Sequence, residues 1–71
     1  MHFDSIISLI KERRQQMNVS QEMLSDISGV ALRTIKLFEV GKGNPTLSTL
    51  MKITDALGLE IVLQAKHLTD V

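Results

Sequence analysis

The stretch Ser20-Gln21-Glu22-Met23-Leu24-Ser25-Asp26-Ile27-Ser28-Gly29-Val30-Ala31-Leu32-Arg33-Thr34-Ile35-Lys36-Leu37-Phe38-Glu39-Val40 decides how this chain is read. Ser20 is a good N-cap, because its hydroxyl accepts a hydrogen bond from a backbone N–H one turn on. Leu24 and Ile27 follow at helical spacing as an inner face. Gly29 tolerates the backbone angles of a sharp turn, and the apolar Val30 tucks that turn into the core. Ile35 and Phe38 give the next helix its inner face and are expected to pack on Leu24 and Ile27, leaving the opposite face in solvent. Two short helices crossing steeply at a glycine turn match the helix-turn-helix unit. The glycine alone is a weak sign, since many helical hairpins share it.

The flanks carry equally clear punctuation. Upstream, Asp4 is placed to cap a first helix, with Ile6, Leu9, Ile10, Arg13 and Met17 at helical spacing. Asn18 takes readily to the left-handed conformation that ends a helix. Downstream, Gly41 and Gly43 close the third helix and Pro45 forbids its continuation. Thr46 then caps a fourth, striped by Leu47, Leu50, Met51, Thr54 and Leu57 and stopped by Gly58. From Leu59 the period changes: Leu59, Ile61, Leu63 and Ala65 alternate with Glu60, Val62 and Gln64, which is strand patterning. A lone strand is unstable in water, so the expectation is that Leu59, Ile61 and Leu63 belong to a strand pairing with its copy across a twofold axis. The alternative is an irregular tail lying on the helices.

Composition bounds the rest. The chain has 71 residues, 44% of them hydrophobic, and no cysteine. The reading is one mostly α domain over 1–71, with a helical bundle over 4–58 and a dimerisation strand over 59–65. A chain of this size buries only about 60% of its unfolded surface, so help from a second chain is expected. No metal and no cofactor are called for: His2 and His67 are the only imidazoles and stand at opposite ends. The absence of disulfide chemistry, of a membrane span and of a basic-then-apolar leader at Met1-His2-Phe3-Asp4 leads to a cytoplasmic expectation. Net charge is zero, yet unevenly spread: +1 over 1–17, −2 over 18–29, +2 over 30–45 and −1 over 46–71. That sum foretells weak non-specific attraction to nucleic acid while leaving room for a local phosphate-binding face. An enzyme is not expected, because no nucleophile and base recur at a useful spacing.

The runs Val19-Ser20-Gln21-Glu22-Met23-Leu24, Ser28-Gly29-Val30, Thr34 through Leu47, Leu50-Met51-Lys52-Ile53 and Ala56-Leu57-Gly58-Leu59 resemble the phage-repressor and Cro-like (XRE-type) helix-turn-helix family. The likeness covers about residues 5–60. It rests on the mutual spacing of the Ser-Gln-Glu start, the Gly-Val turn, the Glu-x-Gly-Lys exit and the Asn-Pro that follows. The tail is further similar to that of HipB-type antitoxins, which dimerise partly through such a strand. The resemblance implies a four- to five-helix fold acting as a homodimer on a double-stranded DNA operator, with no membrane role. It also implies repression of its own operon and a HipA-like kinase toxin as partner.

Carried onto this chain, the resemblance lays the third helix in the major groove with Ala31, Leu32, Arg33 and Lys36 towards base edges. Arg33 is the strongest candidate, since a guanidinium binds guanine O6 and N7 together, for roughly 1–3 kcal/mol of discrimination. Leu32 and Ala31 depart from the polar residues usual there; Leu32 suits a thymine methyl. Ser20, Gln21, Thr34, Lys42, Gly43 and Asn44 are the expected phosphate contacts, which fix register without reading sequence. The resemblance pairs Arg14 with Glu39 as a structural ion pair, while Arg13 is expected in solvent or against phosphate. Met23 and Leu37 are expected on the surface. Two other readings stay open: a stand-alone regulator of the same family, and an interaction module that has lost its DNA affinity.

Overall fold

The computed structural model describes residues 3–66; His2 and His67 lie outside them. Among the described residues the chain forms α1 (Phe3–Gln16), α2 (Gln21–Ser28), α3 (Leu32–Glu39) and α4 (Leu47–Ala56). Helix α2 packs against both α3 and α4, and α1 packs against α3. Ile7, Ile10, Val19, Leu24, Val30, Ile35, Phe38, Ile53 and Leu57 make the core. Phe3 meets Phe38 edge to face, ring centroids 6.1 Å apart.

Local chemistry sets the helix ends. The Ser20 Oγ accepts from the Met23 N–H at 3.0 Å and the Thr46 Oγ1 from the Thr49 N–H at 3.1 Å, each supplying one of the acceptors that a helix start lacks. Asn18 adopts φ 57° after α1. Gly29 sits at φ 77° and donates its N–H to the Ser25 carbonyl. The turn is then tied by side chains. The Ser25 hydroxyl donates to the Val30 carbonyl at 2.7 Å, and the Val30 N–H donates to the Ser28 Oγ at 3.1 Å. Helix α3 starts at Ala31 with no side-chain cap, at a stability cost of about 1 kcal/mol relative to Ser or Thr.

Several faces differ from the sequence expectation. Ile27 is 60% exposed rather than packed on α3, because α2 turns Leu24, Ser25 and Ser28 inward and the two serines hold the turn. On α1 the buried residues are Ile7 and Ile10, while Leu9 is 62% exposed and Met17 is on the surface. Leu9 lies about 200° around the helix from Ile7, and the inward Arg14 fixes which arc faces the core. Asp4 falls inside the first turn of α1 instead of capping it. On α4 the buried arc runs through Ile53, Thr54 and Leu57, which leaves Leu47 and Met51 outward as an i, i+4 pair. Leu37 is half-buried rather than exposed.

The expected strand over 59–65 is not formed. Residues 59–66 carry no regular secondary structure in the single chain. Leu59 packs against the core and donates its N–H to the Thr54 carbonyl at 2.8 Å. Beyond it, residues 60–66 make no backbone hydrogen bond to another described residue. The physical reason is plain: a ladder needs a second strand, and none of the described residues offers one.

Candidate nucleic-acid interface

Helix α3 divides sharply into two faces. Ile35 and Phe38 are fully buried, and Glu39 beside them is 6% exposed. Ala31, Arg33 and Lys36 are exposed on the other side, with Leu32 and Thr34 half-buried at its edges. Arg33 and Lys36, three residues apart, are neighbours on the helix surface.

Glu39 turns inward because Arg14 meets it there. The Arg14 Nε donates to Oε2 at 2.7 Å and Nη2 donates to Oε1 at 2.8 Å, a two-pronged pairing. The third arm, Nη1, donates to the Val19 carbonyl at 2.8 Å. Side-chain exposure is 12% for Arg14 and 2% for Glu39. The hydrogen bond to Glu39 is the leading reason that the Arg14 guanidinium is held above its usual range; burial opposes it. No buried side-chain polar atom among the described residues lacks a partner, so the network is complete. It ties the end of α3 to α1 and to the segment before α2.

This pairing bears on the charge of the outer surface. The segment 30–45 nets +2 only because Glu39 is counted in it. Glu39 is buried and neutralised from behind, so the outward charges of that segment are Arg33, Lys36 and Lys42: three positive and none negative. None of the three forms a salt bridge among the described residues. A chain of zero net charge thus carries three outward cations on α3 and the loop after it.

The residues expected at phosphates fall into two groups. Thr34, Leu37, Lys42, Gly43, Asn44 and Pro45 line one hollow of about 220 Å³ where the loop folds back over α3. Four of the six phosphate candidates are therefore brought together. Ser20 and Gln21 stand apart at the start of α2. Ser20 is already a cap acceptor, but its hydroxyl proton remains free to donate. Gln21 is half-buried and its Nε2 donates to Glu39 Oε1 at 3.0 Å, so its amide is committed chiefly to the ion pair. The backbone N–H groups of Gln21 and Glu22 have no hydrogen-bond partner among the described residues, as a helix start requires.

Arg13 was misplaced by sequence reading. Its Nε donates to the Leu57 carbonyl at 2.9 Å, capping the end of α4. A cation there also meets the negative end of the helix dipole. The signal was available: Arg13 continues the Ile6 and Ile10 spacing, and α4 has no basic residue in its own last turn.

With this geometry in view, comparison with known proteins is decisive. A family described as helix-turn-helix matches residues 10–64. The chain belongs to the XRE-type helix-turn-helix family. Within it, the cryptic phage CTXphi transcriptional repressor RstR of Vibrio cholerae is 41% identical over 56 residues, covering 73% of this chain and 50% of that protein. An uncharacterized HTH-type transcriptional regulator of Haemophilus influenzae is 44% identical over 55 residues, covering 73% of this chain and 56% of that protein. A third, from Methanothermobacter thermautotrophicus, is 38% identical over 53 residues and is covered to 77%. The chain spans about half the length of the first two. Family membership makes residues 10–64 a helix-turn-helix domain of the kind carried by the transcriptional repressor and regulators named above. No described helix is long and apolar enough to cross a membrane.

Proposed function

We propose that this chain is a sequence-specific repressor that binds a palindromic operator as a homodimer, laying α3 of each copy in successive major grooves about 34 Å apart. The observation that carries this reading is the outward trio Arg33, Lys36 and Lys42, without a salt-bridge partner among the described residues while Glu39 is buried against Arg14. In this reading Arg33 reads a guanine, Lys36 a base or phosphate one turn on, and Ala31 and Leu32 make apolar contacts to base edges. Thr34, Lys42, Gly43 and Asn44 grip the backbone through the hollow over α3. Ser20 and Gln21 offer N–H groups at the start of α2, but Glu22 in the same turn opposes an anion there. The weight of phosphate binding therefore falls on the loop after α3.

Leu59, Ile61 and Leu63 supply the dimer strand in this reading: Leu59 roots it on its own core, and a partner strand would pair the backbone around Ile61 and Leu63. The same tail supports a narrower reading as the autoregulatory antitoxin of a HipBA-like operon, with a HipA-like kinase toxin as second partner. The relatives named above as a phage repressor and regulators favour the stand-alone repressor instead. A complex with such a kinase in equimolar mixture, seen by light scattering, decides for the antitoxin; two separate species decide against it.

A salt titration of binding to an operator selected from random duplexes tests the main reading. Contact with several phosphates makes log K fall with log salt at a slope of about −0.9 per contact. Arg33→Ala should lose about 1–3 kcal/mol of discrimination against unrelated duplex, whereas Lys42→Ala should weaken both alike and flatten the slope by roughly 1. Undiminished preference in Arg33→Ala would remove that residue from base readout. Salt-independent binding, or none, would point to an interaction module instead.

A further inference from the structure

Helix α2 holds α3 at both ends through side chains one helical turn apart. Gln21 and Ser25 share a face of α2 and are both half-buried. At the far end of α3, the Gln21 Nε2 donates to the Glu39 Oε1 at 3.0 Å. At the near end, the Ser25 hydroxyl donates at 2.7 Å to the carbonyl of Val30, two residues before α3. The Val30 N–H donates in turn to the Ser28 Oγ at 3.1 Å. Both backbone polar groups of the buried Val30 are thus taken up by serines of α2. Helix α3 brings no tether of its own to this end, because Ala31 makes no capping hydrogen bond.

The core alone does not fix the pitch of α3. Ile35 and Phe38 are buried with Leu24, but apolar packing sets a crossing angle only to within about 15–20°. A two-pronged contact to a guanine edge is more demanding, since a hydrogen bond weakens steeply as it leaves its preferred angle. We propose that Ser25 is a positioning residue for sequence reading: by clasping Val30 it sets the pitch of α3 and so aims Arg33 at a base edge. The inference rests on the DNA-binding reading above and makes α2 the source of its accuracy. Without the Ser25 hydroxyl, α3 keeps its tether at Glu39 and swings at the end that carries Arg33. Lys42 lies beyond the tethered end, so its grip on phosphate is spared.

The test is the ratio of affinities for a selected operator and an unrelated duplex, at a temperature where circular dichroism shows each variant folded. Ser25→Ala should cut that ratio roughly 10-fold, on the scale of one two-pronged base contact, while affinity for unrelated duplex and its salt slope hold. Thr46→Ala removes the cap of α4, a loss of stability without a change at α3, and should leave the ratio at the wild-type value. Because Ser25 acts through Arg33, Ser25→Ala should cost nothing further in an Arg33→Ala background. A Ser25→Ala chain that discriminates like wild type, beside an Arg33→Ala chain that does not, overturns the role of Ser25 and leaves the base reading standing. A Ser25→Ala loss that Thr46→Ala matches, or that adds in full to the Arg33→Ala loss, overturns it equally. Undiminished preference in Arg33→Ala overturns the base reading itself, and the role of Ser25 with it.

Discussion

Replacing Glu39 with alanine should lower the free energy of unfolding by about 3–5 kcal/mol, because it strands the Arg14 guanidinium in the interior. Both side chains are largely shielded, and Glu39 accepts from Gln21 as well as from two arms of Arg14. Removing the carboxylate therefore leaves three donors without their acceptor. At roughly 0.05–0.15 kcal/mol per residue, a domain of this size holds only about 4–11 kcal/mol in total. The variant should accordingly lose from about a third to all of its stability. Urea denaturation followed by circular dichroism measures the loss. Joint replacement of Arg14 and Glu39 by Met and Leu should cost far less than either single truncation, since no charge is left behind. A midpoint unmoved in Glu39→Ala would mean that the pair contributes nothing to stability, and that the charge argument for α3 lacks its anchor.

Changing the spacing of the two operator half-sites should have the largest effect on binding. Two linked recognition helices gain about 10²–10⁴ in affinity over one when both engage together. Inserting about five base pairs between half-sites turns one of them to the opposite side of the duplex, where a rigid twofold dimer cannot reach it. Affinity should fall by about that same 10²–10⁴. A gel-shift series across insert lengths reads it directly. Binding that ignores the insert would mean that single chains, not dimers, engage DNA.

Residues whose effect is local were legible before any coordinates. Ser20 and Thr46 act on the next turn of backbone, and Gly29 and Asn18 on their own φ angles. Each works without knowledge of the rest of the chain. What escaped depends on which arc of a helix faces inward. Ile6, Ile7, Leu9 and Ile10 crowd four apolar residues into five positions, which spans more than a full turn of directions. No apolar count can pick the buried ones; Arg14 does, by reaching Glu39 from α1. The same ambiguity on α4 hid Ile53 and put Leu47 and Met51 in the core stripe. Arg13 escaped because its partner is a backbone carbonyl 44 residues away. The tail escaped for a different reason. Its alternation reads as a strand, but a ladder needs a second strand that none of the described residues supplies, so residues 59–66 are irregular.

Placement of the exposed α3 surface in the major groove is tested most directly by methylation interference on a selected operator. Guanine N7 faces the major groove and adenine N3 the minor groove, so methylating each reports on one groove alone. Methylation at guanine N7 should block binding at positions repeated symmetrically in the two half-sites, with the block relieved at one guanine per half-site in Arg33→Ala. Binding indifferent to N7 methylation, or blocked only at adenine N3, would contradict it.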